Sequence, residues 1–150
     1  QTTLGFNYRM TELQAALGVS QMNRLDEFIV KRHSLQKRYD QLLSGLPVIT
    51  PHQSSFSHSA LHLYPIQIDI KNIEKDREQI FNALRGSNIG VNVHYIPVHT
   101  QPYYLEMGFK FGDFPVAESY YSKTISLPLF SQLSFDDQNV VVSTLKTILE

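Results

Sequence analysis

Gly90-Val91-Asn92-Val93-His94-Tyr95-Ile96-Pro97-Val98-His99-Thr100-Gln101-Pro102-Tyr103-Tyr104 carries the reading on which the fold turns. Extended back to Ile89, its first half alternates apolar and polar side chains as far as Tyr95, the period-two pattern of a half-buried strand. Its second half opens an irregular stretch, residues 96–114, rich in aromatics, prolines and glycines, which reads as a loop. A strand thus delivers His94, Tyr95, His99, Thr100, Gln101, Tyr103 and Tyr104 into a loop, where sheets commonly present ligand groups. Tyrosine and histidine offer hydrogen bonds and flat faces suited to a sugar or a base. The same composition also suits an aromatic loop that packs on itself.

Upstream, Thr11-Glu12-Leu13-Gln14 has the form of a capping box and opens a helix expected to run to about Ser44. Leu25, Phe28, Leu35, Tyr39 and Leu42 make one apolar stripe along it, and Gly45 and Pro47 stop it. A helix of about 33 residues is roughly 50 Å long at 1.5 Å per residue, more than a small domain needs for its own core. Such an element usually bridges between bodies. Residues 46–60 read as a polar connection. Residues 61–69 alternate as a strand, with Pro65 hinting at an edge or a bulge. A helix over residues 74–85 points Ile80, Phe81 and Leu84 inward and closes at Gly86.

Downstream of the loop, a short helix is expected around residues 115–123 and a strand at 125–129. Ser134 caps a final helix with Asp136 and Asp137 in its first turn and Lys146 near its end, as the helix dipole favours. The order predicts an α+β fold, a small, mostly antiparallel sheet with helices on one face.

The 150 residues fit one domain with a real core, and 42% apolar and 18% charged residues are ordinary values for a soluble globular protein. A net charge of −1 supplies no global field for nucleic acid or an anionic membrane, so neither is an expected partner. Cysteine is absent, which excludes disulfides and thiolate metal sites. No apolar stretch approaches the roughly 20 residues of a bilayer span, and no signal-peptide pattern opens the chain. A cytoplasmic protein is the default expectation. The chain begins Gln1-Thr2-Thr3 and reaches a helix signal almost at once, which favours an excerpt from a longer protein.

His58 and His62, and likewise His94 and His99, have spacings that occur in zinc sites. If His58 and His62 share a strand, however, they stand about 13 Å apart at 3.3 Å per residue. Pro97 could fold His94 toward His99, but no nearby carboxylate or cysteine completes a set, and no metal is expected. Asn7 and Arg9 sit just ahead of a helix N-terminus, where free N–H groups and the dipole favour phosphate; the pair also reads as a local cap beside a surface arginine. Lys31, Arg32, Lys37 and Arg38 read as a solvated helix face.

Gly5-Phe6-Asn7-Tyr8-Arg9-Met10-Thr11-Glu12-Leu13-Gln14-Ala15-Ala16-Leu17-Gly18 resembles the segment joining the large and small domains of the DegT/DnrJ/EryC1/StrS family of sugar aminotransferases. The stretch from Gly90 to Tyr104 is similar to that family's small-domain substrate loop, especially in members of pseudaminic acid biosynthesis. Gly112-Asp113-Phe114-Pro115-Val116-Ala117-Glu118 and Ile125-Ser126-Leu127-Pro128-Leu129-Phe130 follow where the family has them.

The resemblance covers essentially the whole chain and implies the small C-terminal domain of a fold-type-I, pyridoxal-phosphate-dependent homodimer. Residues 1–45 would be the interdomain loop and linker helix, and residues 46–150 the small domain. Such enzymes move an amino group, usually from glutamate, onto C4 of a nucleotide-linked 4-keto-6-deoxy sugar in surface-glycan biosynthesis. The resemblance further implies that Asn7, and with it Arg9, reaches the cofactor phosphate, and that His94, Tyr95, His99 and Tyr103 face the nucleotide sugar. The Schiff-base lysine belongs upstream of the linker in the family, so no residue of this chain is expected to be catalytic and the chain alone is expected to be inactive. The rival expectation is a stand-alone, non-catalytic module that binds sugar or protein through the same loop.

Overall fold

The structure, a computed structural model, describes residues 2, 5 and 9–150. A three-stranded antiparallel sheet forms the centre, ordered β1 (Val48–Ile49), β2 (Tyr64–Ile68) and β3 (Thr124–Leu127). Tyr64 pairs with Leu127 and Ile66 with Ile125, while Val48 pairs with Ile68 at the opposite edge. Along β2 the alternation expected from sequence is realised: Tyr64, Ile66 and Ile68 are fully buried, Pro65 and Gln67 only partly. Onto this sheet pack Leu35, Tyr39 and Leu43 from α2 (Leu25–Leu42) and the residue after it, Ile80 and Leu84 from α3 (Arg77–Gly86), and Val141, Val142 and Leu145 from α6 (Phe135–Leu149). The α+β architecture expected from the sequence is therefore present.

Pro65 occupies the central strand rather than an edge, and the hydrogen-bond accounting shows why it is tolerated. Its partner Ser126 sends both its N–H and its C=O to Asn92 on the other side, so no ladder bond is required of Pro65 there. On the β1 side the pairing reaches only Gln67 and Ile68. A proline that lacks an N–H leaves no buried acceptor unpaired at such a position.

Three sequence expectations are corrected. The long first helix is two helices, α1 (Glu12–Met22) and α2. The capping box at Thr11 and Gln14 forms as expected, with Thr11 N–H donating to Gln14 Oε1 across 2.8 Å. At Asn23 and Arg24 the ladder tightens, Arg24 N–H reaching Gln21 O, and resumes with Phe28 N–H on Arg24 O. Asparagine is a weak helix former, and α1 buries no side chain, so no packing holds the two halves straight. The apolar stripe serves this domain's own core at Leu35 and Tyr39.

The strand expected at residues 89–95 is not a strand. Ile89 and Val91 are buried and Gly90 and Asn92 exposed, so the alternation is real. Yet only Asn92 pairs with β3, and Val93 N–H turns back to the Asn92 side chain at 2.8 Å. Finally, β1 lies inside the expected polar connection. The remaining boundaries move by a few residues: α3 starts at Arg77 because Asp76 caps it with Gln79, and α5 spans Pro115–Tyr121. Ser134 caps α6 as expected, its Oγ accepting from Asp137 N–H at 3.0 Å.

Candidate functional site

The loop leaving the sheet at Asn92 passes a 3₁₀ turn (Val98–Thr100) and α4 (Pro102–Glu106), then folds back through residues 107–114 into α5. Pro102 and Pro115 each occupy the first turn of their helices, where a missing N–H costs nothing. Gly108 and Gly112 take φ of +100° and +96° at the two reversals, conformations that side-chain-bearing residues rarely adopt.

His94 and His99, both singled out from sequence, are held apart by different partners. His94 Nδ1 lies 2.8 Å from Ser126 Oγ on β3, and its ring meets Tyr95 edge-on at 4.7 Å. The peptide bond joining these two residues is cis. Tyr95 is 74% exposed. His99 is buried, 7% exposed, and donates Nε2–H to Glu118 Oε1 at 2.8 Å. The same carboxylate accepts from Gly112 N–H at 2.8 and 3.0 Å. The His99 contact, then the Gly112 N–H, holds the Glu118 carboxyl below the usual range, because each favours the ionised form.

Around this clamp the rings form a chain. Phe114 packs on His99 at 4.8 Å, Phe109 on Phe114 at 6.2 Å, Tyr104 on Phe109 at 6.2 Å, and Tyr103 meets Tyr104 edge-on at 5.3 Å. Two hollows flank Phe114. One, of about 370 Å³, is walled by Val98, His99, Tyr104 and Phe109; the other, of about 630 Å³, by Tyr95, Asp113, Val116 and Tyr120. Pro97, Phe114 and Ala117 separate them, lining both. Tyr103, named with the site residues from sequence, lines neither and buttresses Tyr104 instead.

Sequence reasoning missed Glu118 and Ser126 as partners of the two histidines. Both lie in stretches quoted for their resemblance. A lone carboxylate in the first turns of a helix that follows a glycine-proline turn was a signal for Glu118. Nothing local pointed Ser126 at His94, since the contact spans the sheet.

The placing of His62 on a strand is corrected. His62 precedes β2 rather than lying on it, and His58 stacks on His33 with centroids 4.4 Å apart. Among the described residues no three His, Cys, Asp or Glu side chains come together as a metal set. No helix of the described residues is long and apolar enough to cross a membrane.

A phosphate-bearing cofactor needs cations or clustered N–H donors. Neither hollow is lined by lysine or arginine, so this part of the chain does not fit the phosphate of pyridoxal phosphate. Asn7, expected to reach that phosphate, lies outside the described residues, and Arg9 is exposed. Lys31 is engaged by Glu27 on α2, and Lys75 Nζ donates to the Ile148 carbonyl at the end of α6.

A small antiparallel sheet layered with helices, preceded by an exposed helix, thus carries a histidine-aromatic loop beside two hollows. The family model of the DegT/DnrJ/EryC1/StrS aminotransferases matches residues 1–146, and the chain belongs to that family. The spore coat polysaccharide biosynthesis protein SpsC of Bacillus subtilis is 40% identical over 149 residues, covering 97% of this chain and 38% of SpsC. A UDP-4-amino-4,6-dideoxy-N-acetyl-beta-L-altrosamine transaminase of Campylobacter jejuni is 30% identical over 150 residues, covering 98% of this chain and 39% of that protein. The PLP-form of the sugar aminotransferase Spr1654 from Streptococcus pneumoniae superposes with a TM-score of 0.82 at 27% identity, over 93% of this chain and 36% of that one. The chain thus spans about 38% of the length of the curated relatives it matches.

Proposed function

We propose that residues 1–150 are the C-terminal part of a pyridoxal-phosphate-dependent nucleotide-sugar aminotransferase, with residues 1–45 linking a large domain to a small domain formed by residues 46–150. The whole protein transfers an amino group from glutamate to C4 of a nucleotide-linked 4-keto-6-deoxy sugar, acts as a cytoplasmic homodimer, and serves surface-glycan biosynthesis of the pseudaminic acid type. The observation that carries this reading is the family match across residues 1–146, running through the histidine-aromatic loop. The Campylobacter relative, named for a UDP-linked amino sugar, supports the substrate class.

Pyridoxal phosphate, when bound, supplies the electron sink for amino transfer. This chain's own residues do the remaining work. Asn7 and Arg9 would hold the cofactor phosphate. His94 and Tyr95 meet the sugar nucleotide, while His99, clamped by Glu118, and Tyr103, behind Tyr104, hold the loop that closes over it. The lysine that carries the cofactor belongs to another part of the protein.

The test is made on the full-length gene product with pyridoxal phosphate, glutamate and a UDP-linked 4-keto-6-deoxy sugar. Formation of 2-oxoglutarate dependent on the sugar nucleotide is the expected result. Binding of the sugar nucleotide without any amino transfer would overturn the reading and favour a non-catalytic sugar-binding module.

A further inference from the structure

Ser126 sits at the centre of β3, 4% exposed, with its backbone N–H and C=O both committed to Asn92. Its side-chain oxygen has a single partner among the described residues, His94 Nδ1 at 2.8 Å. A serine hydroxyl carries one proton, and among the described residues that ring nitrogen is its one hydrogen-bond acceptor. Nδ1 of a neutral imidazole can accept that proton only if the ring's own hydrogen is on Nε2. His94 Nε2 has no hydrogen-bond partner among the described residues, and the ring is only partly buried.

We infer that Ser126 is a positioning residue that locks His94 in the Nε2–H form and turns that N–H outward as a ready donor. What such a donor recognises is an acceptor oxygen, of the kind a sugar hydroxyl, keto group or diphosphate presents. The backbone makes the device rigid. The paired N–H and C=O of Ser126 and Asn92 fix the serine against the segment carrying His94, so the ring nitrogen and the hydroxyl meet without ordering a flexible chain. The residue acts through His94 and touches no ligand itself. The consequence for substrate rests on the function proposed above, but the ring geometry does not.

The test reads the tautomer directly, in the full-length gene product labelled with nitrogen-15 in its histidines. The His94 signals are assigned by their loss in His94→Gln. The expected spectrum has His94 protonated at Nε2. In Ser126→Ala the ratio of the Nε2–H to the Nδ1–H form falls by roughly two- to tenfold, the worth of one hydrogen bond. Ser126→Thr, which keeps the hydroxyl, restores it, and this rescue excludes a general loss of packing. A wild-type His94 protonated at Nδ1, or a tautomer ratio indifferent to Ser126→Ala, overturns the inference. Either result leaves the aminotransferase reading untouched, because that stands or falls on amino transfer.

Discussion

His99 Nε2 and Glu118 Oε1 lie 2.8 Å apart, and the carboxylate that receives the ring also receives the backbone of Gly112. One side chain therefore joins the start of the loop to its return. The carboxyl is held below its ordinary value, so the folded loop prefers the ionised form. A depressed carboxyl contributes stability above the unfolded value, near 4.3, and loses it as pH falls through the folded value. Amide exchange at Gly112 and Phe114 should accordingly accelerate, relative to the intrinsic rate, when pH drops below about 4. In Glu118→Gln the acid step should vanish and protection should be low already at neutral pH. Equal protection in the two proteins at pH 7 counts against the clamp.

Tyr39 and Tyr64 stack at 4.9 Å in the middle of the core, Tyr39 donating to the Pro128 carbonyl at 3.0 Å and Tyr64 to the Asp40 carboxylate. Burial raises both phenols well above their ordinary value, with the Asp40 bond adding to Tyr64. Tyr39→Phe should cost about 1–2 kcal/mol and Tyr64→Phe about 1.5–3 kcal/mol, since the latter gives up a bond to a charged acceptor. A raised phenol contributes stability below the unfolded value near 10 and loses it as pH climbs past that point. Urea midpoints should show the wild type losing more stability than either variant between pH 8 and 11.

His94→Ala in the full-length protein should slow the half-reaction with the sugar nucleotide by about 1–3 kcal/mol, the cost of leaving a substrate oxygen unpaired. The half-reaction with glutamate, a small donor, should change little. Stopped-flow absorbance separates the two, and equal slowing of both would move His94 into the shared machinery or into folding.

The surface that invites association is α1. Leu13 is 84% and Leu17 61% exposed. The stripe of α2, by contrast, buries Leu35 and Tyr39 in this domain's own core. Residues 1–150 alone should self-associate at high concentration, and replacing Leu13 and Leu17 by lysine should abolish it. Sedimentation equilibrium decides the point: a monomer throughout, or association unchanged by the two lysines, would remove α1 from the contact.

Signals that act over a few residues were legible in the sequence. The capping box at Thr11, the serine cap of α6, the stop at Gly45 and the alternation of β2 each depend on neighbours in the chain, and each is realised. The segment at residues 89–95 shows the limit: alternation reports which side chains are buried, whereas a strand also needs a partner backbone. The break between α1 and α2 went unseen because the apolar stripe begins at Leu25, past Asn23, and neither glycine nor proline marks the break itself. Of the site, the loop itself was visible. The partners Glu118 and Ser126 were not, since the first is 19 and the second 32 residues away from its histidine.

Because α1 lends no side chain to the interior, this fold asks nothing of Leu13 or Leu17. Substitutions there are neutral for residues 25–150 by construction. Any loss caused by such a substitution therefore measures a surface outside this domain, and tolerance at α1 set against tolerance at Leu35 and Tyr39 reads out the two demands separately.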